Sequence, residues 1–414
     1  MSAEPAEPAA ATEPAPRRLL AGYRDLLGAP GFRRIAAAAL ASKLPAGMVP
    51  LSLLLLIGRE YSYGVAGLAV SSLAVGEGLT APLRGRLADR RSPRVVLPVC
   101  LAGYLTAGAL LLLAVAHGVS AVAICCLTAV VGATVPPVGI MMRSVWFASA
   151  GARTLPTAMA LDTTLTNAAL ITGPVLTGWL SLSVSGFAPF AAIAALMAGA
   201  VGVLTGFPLA PRPARPGHRA AGPLASAPLR RLMAAHGLFV VAITVVDVVL
   251  PLHAQASGAA GYAGLYLGAM SVGSILGSLA LGAAPALLSR GPRISVLLCA
   301  FAAGAGLLAL AARLSPLTVL LVCPVAGAVV GSAFGTLYTL AGDLAPEGRV
   351  TETMAWLSSL NQAGGAVGAA AGAHVAAAQG GGTALLLVPA VALLAAAIGW
   401  KTKPDPSAKE KNAP

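Results

Sequence analysis

The chain has 414 residues, of which 57% are hydrophobic and only 10% charged, with 27 basic and 14 acidic residues and a net charge of +13. A soluble globular protein carries about a quarter charged residues, so these charges are too few to cover a water-facing surface. A soluble enzyme, a disordered chain and a secreted disulfide scaffold are excluded. The basic residues fall in short clusters between apolar runs, a topological pattern and not a phosphate-binding stripe, so no nucleic-acid partner is expected. Cys100, Cys125, Cys126, Cys299 and Cys323 lie in apolar stretches without metal-ligand spacing to His, so neither a metal nor a cofactor is expected.

Residues 1–16 form an Ala/Pro/Glu tail that lacks the basic-then-apolar order of a signal peptide. In the following stretch Leu19, Leu20, Tyr23 and Leu27 recur at helical spacing with Arg on another face, which fits an interfacial amphipathic helix or an ordered loop. A helix needs about 20 apolar residues to cross a bilayer core of about 30 Å. Twelve such spans are predicted: 34–57, 65–86, 94–116, 120–142, 157–180, 187–207, 231–254, 261–283, 293–312, 316–340, 352–375 and 382–400. The loops are short except for 208–230, a Pro-rich basic linker. The predicted organisation is a tail with a possible interfacial helix (1–33), a six-helix bundle (34–207), the linker (208–230), a second six-helix bundle (231–400) and a tail (401–414).

Placing the N-terminus inside puts 24 of the 27 Lys and Arg residues on the cytoplasmic side, leaves Arg59 and Arg313 outside and buries Lys43 in span 1. The positive-inside bias then predicts a multi-pass protein of the cell inner (cytoplasmic) membrane with both termini cytoplasmic. The halves resemble each other at a shift near 197 residues. FRRIAAA (32–38) matches LRRLMAA (229–235), RSPR (91–94) matches RGPR (290–293), and MALDTTLTN (159–167) matches MAWLSSLNQ (354–362). Each pair is separated by six spans, so the copies share one orientation, a parallel repeat of the kind found in secondary transporters.

Between spans 2 and 3 the chain reads GRLADRRSPR (85–94). This resembles the signature loop of the major facilitator superfamily, Gly-x-Leu-Ala-Asp-Arg-x-Gly-Arg-Arg. Gly85, Leu87, Ala88, Asp89, Arg90 and Arg94 match, while Ser92 and Pro93 depart from the pattern. The resemblance covers essentially the whole chain and implies an all-α integral membrane fold of twelve transmembrane helices in two parallel six-helix repeats. It further implies that Gly85, Asp89, Arg90 and Arg94 form a conformational latch, with Asp89 docked on the N-terminus of span 11. Thr351 and Thr353 open that span, and Glu352 beside them would weaken the contact unless it turns away or is protonated. Leu288 stands at the Asp89 position of the second half.

In span 5, AALITGPVLTG (168–178) is similar to the motif of the superfamily's twelve-helix drug–proton antiporters, Gly-x-x-x-Gly-Pro-x-x-Gly-Gly. Gly173, Pro174 and Gly178 match, and Ala169 and Thr177 replace glycines. These residues are expected to bend span 5 and to pack it against span 8. The Arg that this group carries midway along span 4 is absent from LTAVVGATVPPVG (127–139), and Arg143 is assigned to the cytoplasmic end.

Ionisable groups at membrane depth cost about 2.5–3.5 kcal/mol on insertion scales and default to functional candidates. Lys43 and Glu77 both fall ~13 Å from the cytoplasmic boundary, on antiparallel neighbouring spans. They are expected to pair, either as a structural salt bridge or as a proton site that frees Lys43 for substrate. Asp162 shares a face with Thr166 and either pairs with Arg143 or Arg153 or contacts a proton or substrate. Asp247 shares a stripe of span 7 with His236, Thr244 and Pro251 and has no basic neighbour on that span at its depth. An unpaired carboxylate in a low dielectric favours its protonated form, so Asp247 is the leading proton-coupling candidate, ahead of Glu77 and Asp162. Lys43, Thr166, Thr244, Asn361 and Gln362 are the candidate cavity and substrate contacts.

These observations predict a secondary active transporter that exports small, partly hydrophobic molecules in exchange for protons by alternating access, an efflux function of the multidrug-resistance type. Proton-coupled uptake or facilitated transport of a small solute is the alternative. The chain has no phosphate-binding Gly-x-x-x-x-Gly-Lys-[Ser/Thr] loop, and its five His residues are scattered, so neither ATP-driven transport nor enzymatic activity is expected. The expected partners are a small-molecule substrate, protons and the lipid bilayer, and the chain is expected to be a monomer.

Overall fold

A computed structural model describes residues 32–149, 155–206, 222–259, 261–283, 293–346 and 348–400. The tails, the stretch 17–31, Arg153, Leu288 and most of the 208–230 linker lie outside the described residues. Regular structure among the described residues is helical throughout: α1 (Phe32–Glu60), α2 (Tyr63–Arg90), α3 (Pro93–Ala116), α4 (Ala121–Thr134), α5 (Val138–Ser149), α6 (Leu155–Ser183), α7 (Ala188–Thr205), a 3-10 turn (Gly222–Ala225), α8 (Ala227–Ala256), α9 (Tyr262–Ala283), α10 (Arg293–Ala311), α11 (Pro316–Asp343), α12 (Val350–Gln379) and α13 (Gly381–Trp400). Eleven spans are long and apolar enough to cross a membrane, with α4 and α5 acting as one. The twelfth, α12, has 30 residues but carries Glu352, Ser358, Ser359, Asn361 and Gln362. The lipid-facing sides of the helices carry exposed Leu, Val and Trp side chains such as Leu79, Leu182 and Trp179.

Local chemistry sets the helix ends. Ser62, Ser92, Ser120 and Ser315 each accept a hydrogen bond from a backbone N–H of the first turn they precede, satisfying donors that a helix leaves unpaired. Ser92 and Pro93, the two departures from the signature loop, thus supply the N-cap and first residue of α3. Pro228 in the first turn of α8 likewise starts that helix at Ala227, ahead of the expected 231.

Span 4 differs from its sequence reading. Val135, Pro136 and Pro137 interrupt it, because two successive prolines cannot donate to the helical ladder. The chain then resumes as α5 and continues to Ser149, beyond the expected end at 142. Arg143 is therefore inside the span and not at its end.

Tight backbone contacts pair the helices in the same way in both repeats. A Cβ on Gly76 of α2 would strike the Ala129 carbonyl of α4, and one on Gly132 would strike the Leu73 carbonyl. Gly273 of α9, 197 positions after Gly76, meets the backbone of Pro324 in α11, and Gly327 meets Met270. The α1–α6 contact is made by Gly47 and Gly173, and its counterpart joins Gly368 of α12 to Val241 and Thr244 of α8. Small residues at such crossings let membrane helices gain contact where no hydrophobic driving force exists.

Overpacking typically costs about 1–3 kcal/mol. Gly76→Ala and Gly273→Ala should therefore each lower the thermal unfolding midpoint in detergent, whereas Gly67→Ala, whose added Cβ meets nothing within 4 Å, should leave it nearly unchanged.

Candidate functional site

The charged centre is built from three helices of the first repeat. Lys43 (α1) donates through Nζ to Asp162 Oδ2 at 3.1 Å and to Thr166 Oγ1 at 2.7 Å. Arg143 (α5) reaches the same Asp162 oxygen through Nε at 3.3 Å. Asp162 is 2% exposed and Lys43 7%, so this is a buried triad in which one carboxylate serves two cations. Thr166 also donates to the Asp162 carbonyl one helical turn before it, which holds its oxygen where Lys43 can reach it. The expected Lys43–Glu77 pair does not form. Helix phase turns Lys43 toward α6, and Glu77 Oε2 instead accepts from Gln362 Nε2 of α12 at 3.0 Å.

Two freed carbonyls organise the neighbourhood of Glu77. Pro82 has no N–H to give to the Gly78 carbonyl four residues earlier, and Ser359 Oγ of α12 donates to that oxygen at 2.6 Å. The break in span 4 likewise frees the Val135 carbonyl, which takes a hydrogen bond from Arg84 Nη1. Arg84 Nη2 donates to the Glu77 carbonyl at 2.9 Å, and its Nε has no partner. Sequence reasoning counted Arg84 and Arg143 as loop charges and missed both. The signals were present: Pro82 two residues before Arg84, the Val-Pro-Pro break that needs a donor, and the apolar run VGIMMRSVWF that carries the helix past Arg143.

The second repeat adds a polar edge. The Arg143 guanidinium lies 3.7 Å over the Tyr338 ring of α11, and Asn361 Nδ2 donates to the Tyr338 hydroxyl at 3.2 Å. His236 is fully buried beside Phe334 and Tyr338. A cavity of about 210 Å³ is lined by Lys43, Glu77, Arg84, Arg143, Thr166 and Asn361 together with Ser42, Tyr104, Ser358 and apolar side chains. Thr244 is not among its lining residues and faces Gly365 and Gly368 of α12. Asp247 stands apart. It is exposed, makes no hydrogen bond or ion pair among the described residues, and lies toward the far end of α8.

The signature loop closes one face of the molecule. Asp89 Oδ1 accepts from the Thr351 N–H at 3.1 Å and Oδ2 from the Glu352 N–H at 2.7 Å, a carboxylate on the positive end of α12. Gly85 permits this approach, since a Cβ there would lie 2.5 Å from Ala355 Cβ and 2.9 Å from the Thr351 carbonyl. Glu352 turns away from Asp89. Its Oε1 accepts from Arg86 Nη2 at 2.8 Å and Nε at 3.1 Å, and Arg349 lies 3.5 Å from Oε2. Ser144 and Thr351 hydroxyls meet at 3.0 Å. Arg90 and Arg94 do not join this contact. Arg90 is exposed, and Arg94 Nε donates to the Thr205 carbonyl at the end of α7 at 3.2 Å.

The span 5 motif also packs differently from expectation. Gly173 meets Gly47 of α1, and Thr177 Oγ1 donates to the Met48 carbonyl at 3.3 Å, so this face of α6 turns to its own repeat and not to span 8. Pro174 lies inside α6, and Gly178 has nothing within 4 Å. The contact with α9 is made instead by Asn167 Nδ2, donating to Ser274 Oγ at 3.0 Å, and Thr157 Oγ1, donating to the Gly282 carbonyl at 2.8 Å.

Residues 35–369 match the model of the Major Facilitator Superfamily, with a further match over 232–414. The chain belongs to that superfamily. No curated protein matches the chain. Solved superfamily structures share the fold across nearly the full length. The human organic anion transporter MFSD10 (TETRAN) is 19% identical with a TM-score of 0.67, covering 94% of this chain and 100% of that one. A bacterial homologue of the iron transporter ferroportin in an outward-facing state is 16% identical with a TM-score of 0.70, covering 94% and 99%. The E. coli fucose:proton symporter FucP is 15% identical with a TM-score of 0.69, covering 90% and 98%. The chain is thus a multi-pass membrane protein of the major facilitator fold, twelve transmembrane helices in two parallel six-helix repeats, and its superfamily is one of secondary transporters rather than enzymes.

Removing one partner of a buried charge cluster costs about 3–5 kcal/mol, because the remaining charges lose their counter-ion. Asp162→Asn should lower the unfolding midpoint in detergent more than the double replacement Lys43→Met with Asp162→Asn, which leaves one fewer cation uncompensated.

Proposed function

We propose that this chain exports small, partly hydrophobic molecules in exchange for protons by alternating access across the cytoplasmic membrane, with the Asp89 face and both termini cytoplasmic. The observation that carries the reading is the uneven distribution of contacts between repeats. Asp89, Arg86, Ser144, Gly78 and Glu77 all meet α12, and Thr157 and Asn167 meet α9, toward one face or at mid-depth. A charged cavity sits directly behind this closure. One sealed face over a central site is one end state of an alternating-access cycle, and breaking the Asp89–α12 contact would open the other. With Arg84 and Arg143 reassigned to the spans, 22 of the remaining basic residues still fall on the Asp89 side against two on the other, which supports the orientation.

In this reading Asp247 is the proton site. It is exposed on the side away from the Asp89 closure and has no counter-ion among the described residues, whereas Asp162 is held by two cations. Gly85, Asp89 and Arg86 form the latch, and Lys43, Thr166 and Asn361 in the cavity lining, with Gln362 acting through its bond to Glu77, report cavity occupancy across the repeats.

Two measurements test the proposal. In a cysteine-free background, a cross-link between cysteines at Arg86 and Glu352 should form readily and be depleted at least several-fold by Asp89→Asn with Gly85→Leu. Cross-linking that is indifferent to the latch residues overturns the gating role. In everted vesicles challenged with a panel of hydrophobic dyes and antibiotics, substrate-evoked proton efflux from the lumen should appear and be lost in Asp247→Asn. Efflux that survives the mutation would move the proton site to Glu77 or Asp162, and movement of the opposite sign would mark uptake.

A further inference from the structure

The charges around the cavity do not balance. Lys43, Arg84 and Arg143 line it, and the carboxylates beside them are Glu77 and Asp162. Lys43 and Arg143 share a single Asp162 oxygen, and the other oxygen, Oδ1, has no partner. Glu77 spends Oε2 on the neutral amide of Gln362 and forms no ion pair with Arg84. Three cations therefore face two carboxylates.

Arg84 holds the surplus in place. The residue is 7% exposed, and its two terminal nitrogens are fixed by the Glu77 and Val135 carbonyls. Carbonyls orient a guanidinium without neutralising it. Its Nε is buried and unpartnered, so a fork of donors suited to a planar carboxylate or a phosphoryl group is left incomplete at the cavity wall. A buried guanidinium with no carboxylate in direct contact is costly, and a bound anion would relieve it. Beyond the charged groups the lining offers the hydroxyls of Ser42, Tyr104, Thr166 and Ser358 and the Asn361 amide, and is otherwise apolar, with Pro45, Val49, Leu170 and Met197, so the group that carries the charge would bring a hydrophobic body.

We propose that the cavity is a binding site for small amphipathic organic anions, with the carboxylate, sulfonate or phosphate group on Arg84 between Lys43 and Arg143 and the apolar part against the Pro45–Val49 wall. This deepens the transport reading and rests on it for its cargo. Arg84 is the anchor because its hydrogen bonds go to carbonyls and it has no bonded carboxylate to exchange. Lys43 and Arg143 can contribute only by loosening their hold on Asp162, which would connect anion entry to the Arg143–Tyr338 contact between the repeats.

The test is a charge series on one ring system, using the full chain in nanodiscs: 2-naphthoate, 2-naphthalenesulfonate and 2-naphthyl phosphate against neutral 2-naphthamide and cationic 2-naphthylmethylammonium. At least one anion should raise the thermal midpoint and bind at least tenfold more tightly than the amide and the ammonium. Arg84→Gln should weaken that anion at least tenfold, with partial recovery in Arg84→Lys. Equal or tighter binding of the amide or the ammonium, no anion binding up to millimolar concentration, or an unchanged affinity in Arg84→Gln each overturns the proposal. The wild-type series stands alone if Arg84→Gln fails to fold. The latch cross-link is read in parallel on the cysteine-free chain with cysteines at Arg86 and Glu352, in the same nanodiscs and with the same probes, so opening driven by the ammonium probe would keep the transport reading while refuting the anion site.

Discussion

Helices α2 and α12 meet because a glycine and a carboxylate fall four residues apart at the end of α2. Gly85 removes the side chain that would hold the helices apart, and Asp89 fills the two acceptor positions that the first turn of α12 leaves vacant. Everything farther along the same interface follows from this register. Once Asp89 is seated, Ser359 comes level with the Gly78 carbonyl and Gln362 with Glu77, successive contacts along the same face of α12. Glu352, which would otherwise repel Asp89, becomes useful because Arg86 lies on the outer side of the same turn and draws it away. The closed face thus combines a hydrogen-bonded helix terminus with an adjacent ion pair.

The second organising constraint is the demand of a hydrocarbon environment that each backbone polar group find a partner within the protein. Prolines break that rule locally, and the two best-placed breaks both lead to the cavity. Pro82 exposes a carbonyl that the other repeat satisfies, and Pro136 and Pro137 expose one that Arg84 satisfies. The same side chain that repairs span 4 is the cavity cation with no carboxylate in hydrogen-bond contact. Structural repair and substrate recognition are therefore compatible demands on Arg84, since the carbonyl bonds aim it and leave its charge intact.

Much of the architecture was legible because it is dictated by length. A bilayer requires about 20 apolar residues per crossing, and eleven of the twelve spans stand out on that basis alone. The Asp89 docking and the turning away of Glu352 follow from a known loop pattern together with helix-end electrostatics. What sequence could not supply was rotation about each helix axis. Lys43 has Glu77 and Asp162 at comparable depth, and only the phase of α1 selects the residue 119 positions away. The same ambiguity sent Gly173 toward the wrong neighbour. Arg84 and Arg143 were misplaced for a different reason: arginines close to span ends are ordinarily topogenic, and neither periodicity nor a charge count shows that a proline break nearby needs a donor.

The glycine contacts have a mechanical consequence. Where Gly76 lies on the Ala129 carbonyl and Gly273 on the Pro324 backbone, no side chain stands between the helices to change rotamer and absorb a displacement. Such a pair has no soft degree of freedom at its crossing and travels as one stiff rod. Between the repeats, by contrast, apart from the close approach at Gly85, the contacts described are hydrogen bonds, the Arg86–Glu352 ion pair and one cation–ring stack, made by side chains that can swing. Compliance is therefore concentrated at the seam between the repeats, and a force applied by a ligand in the cavity would be spent on the seam before it could bend either repeat.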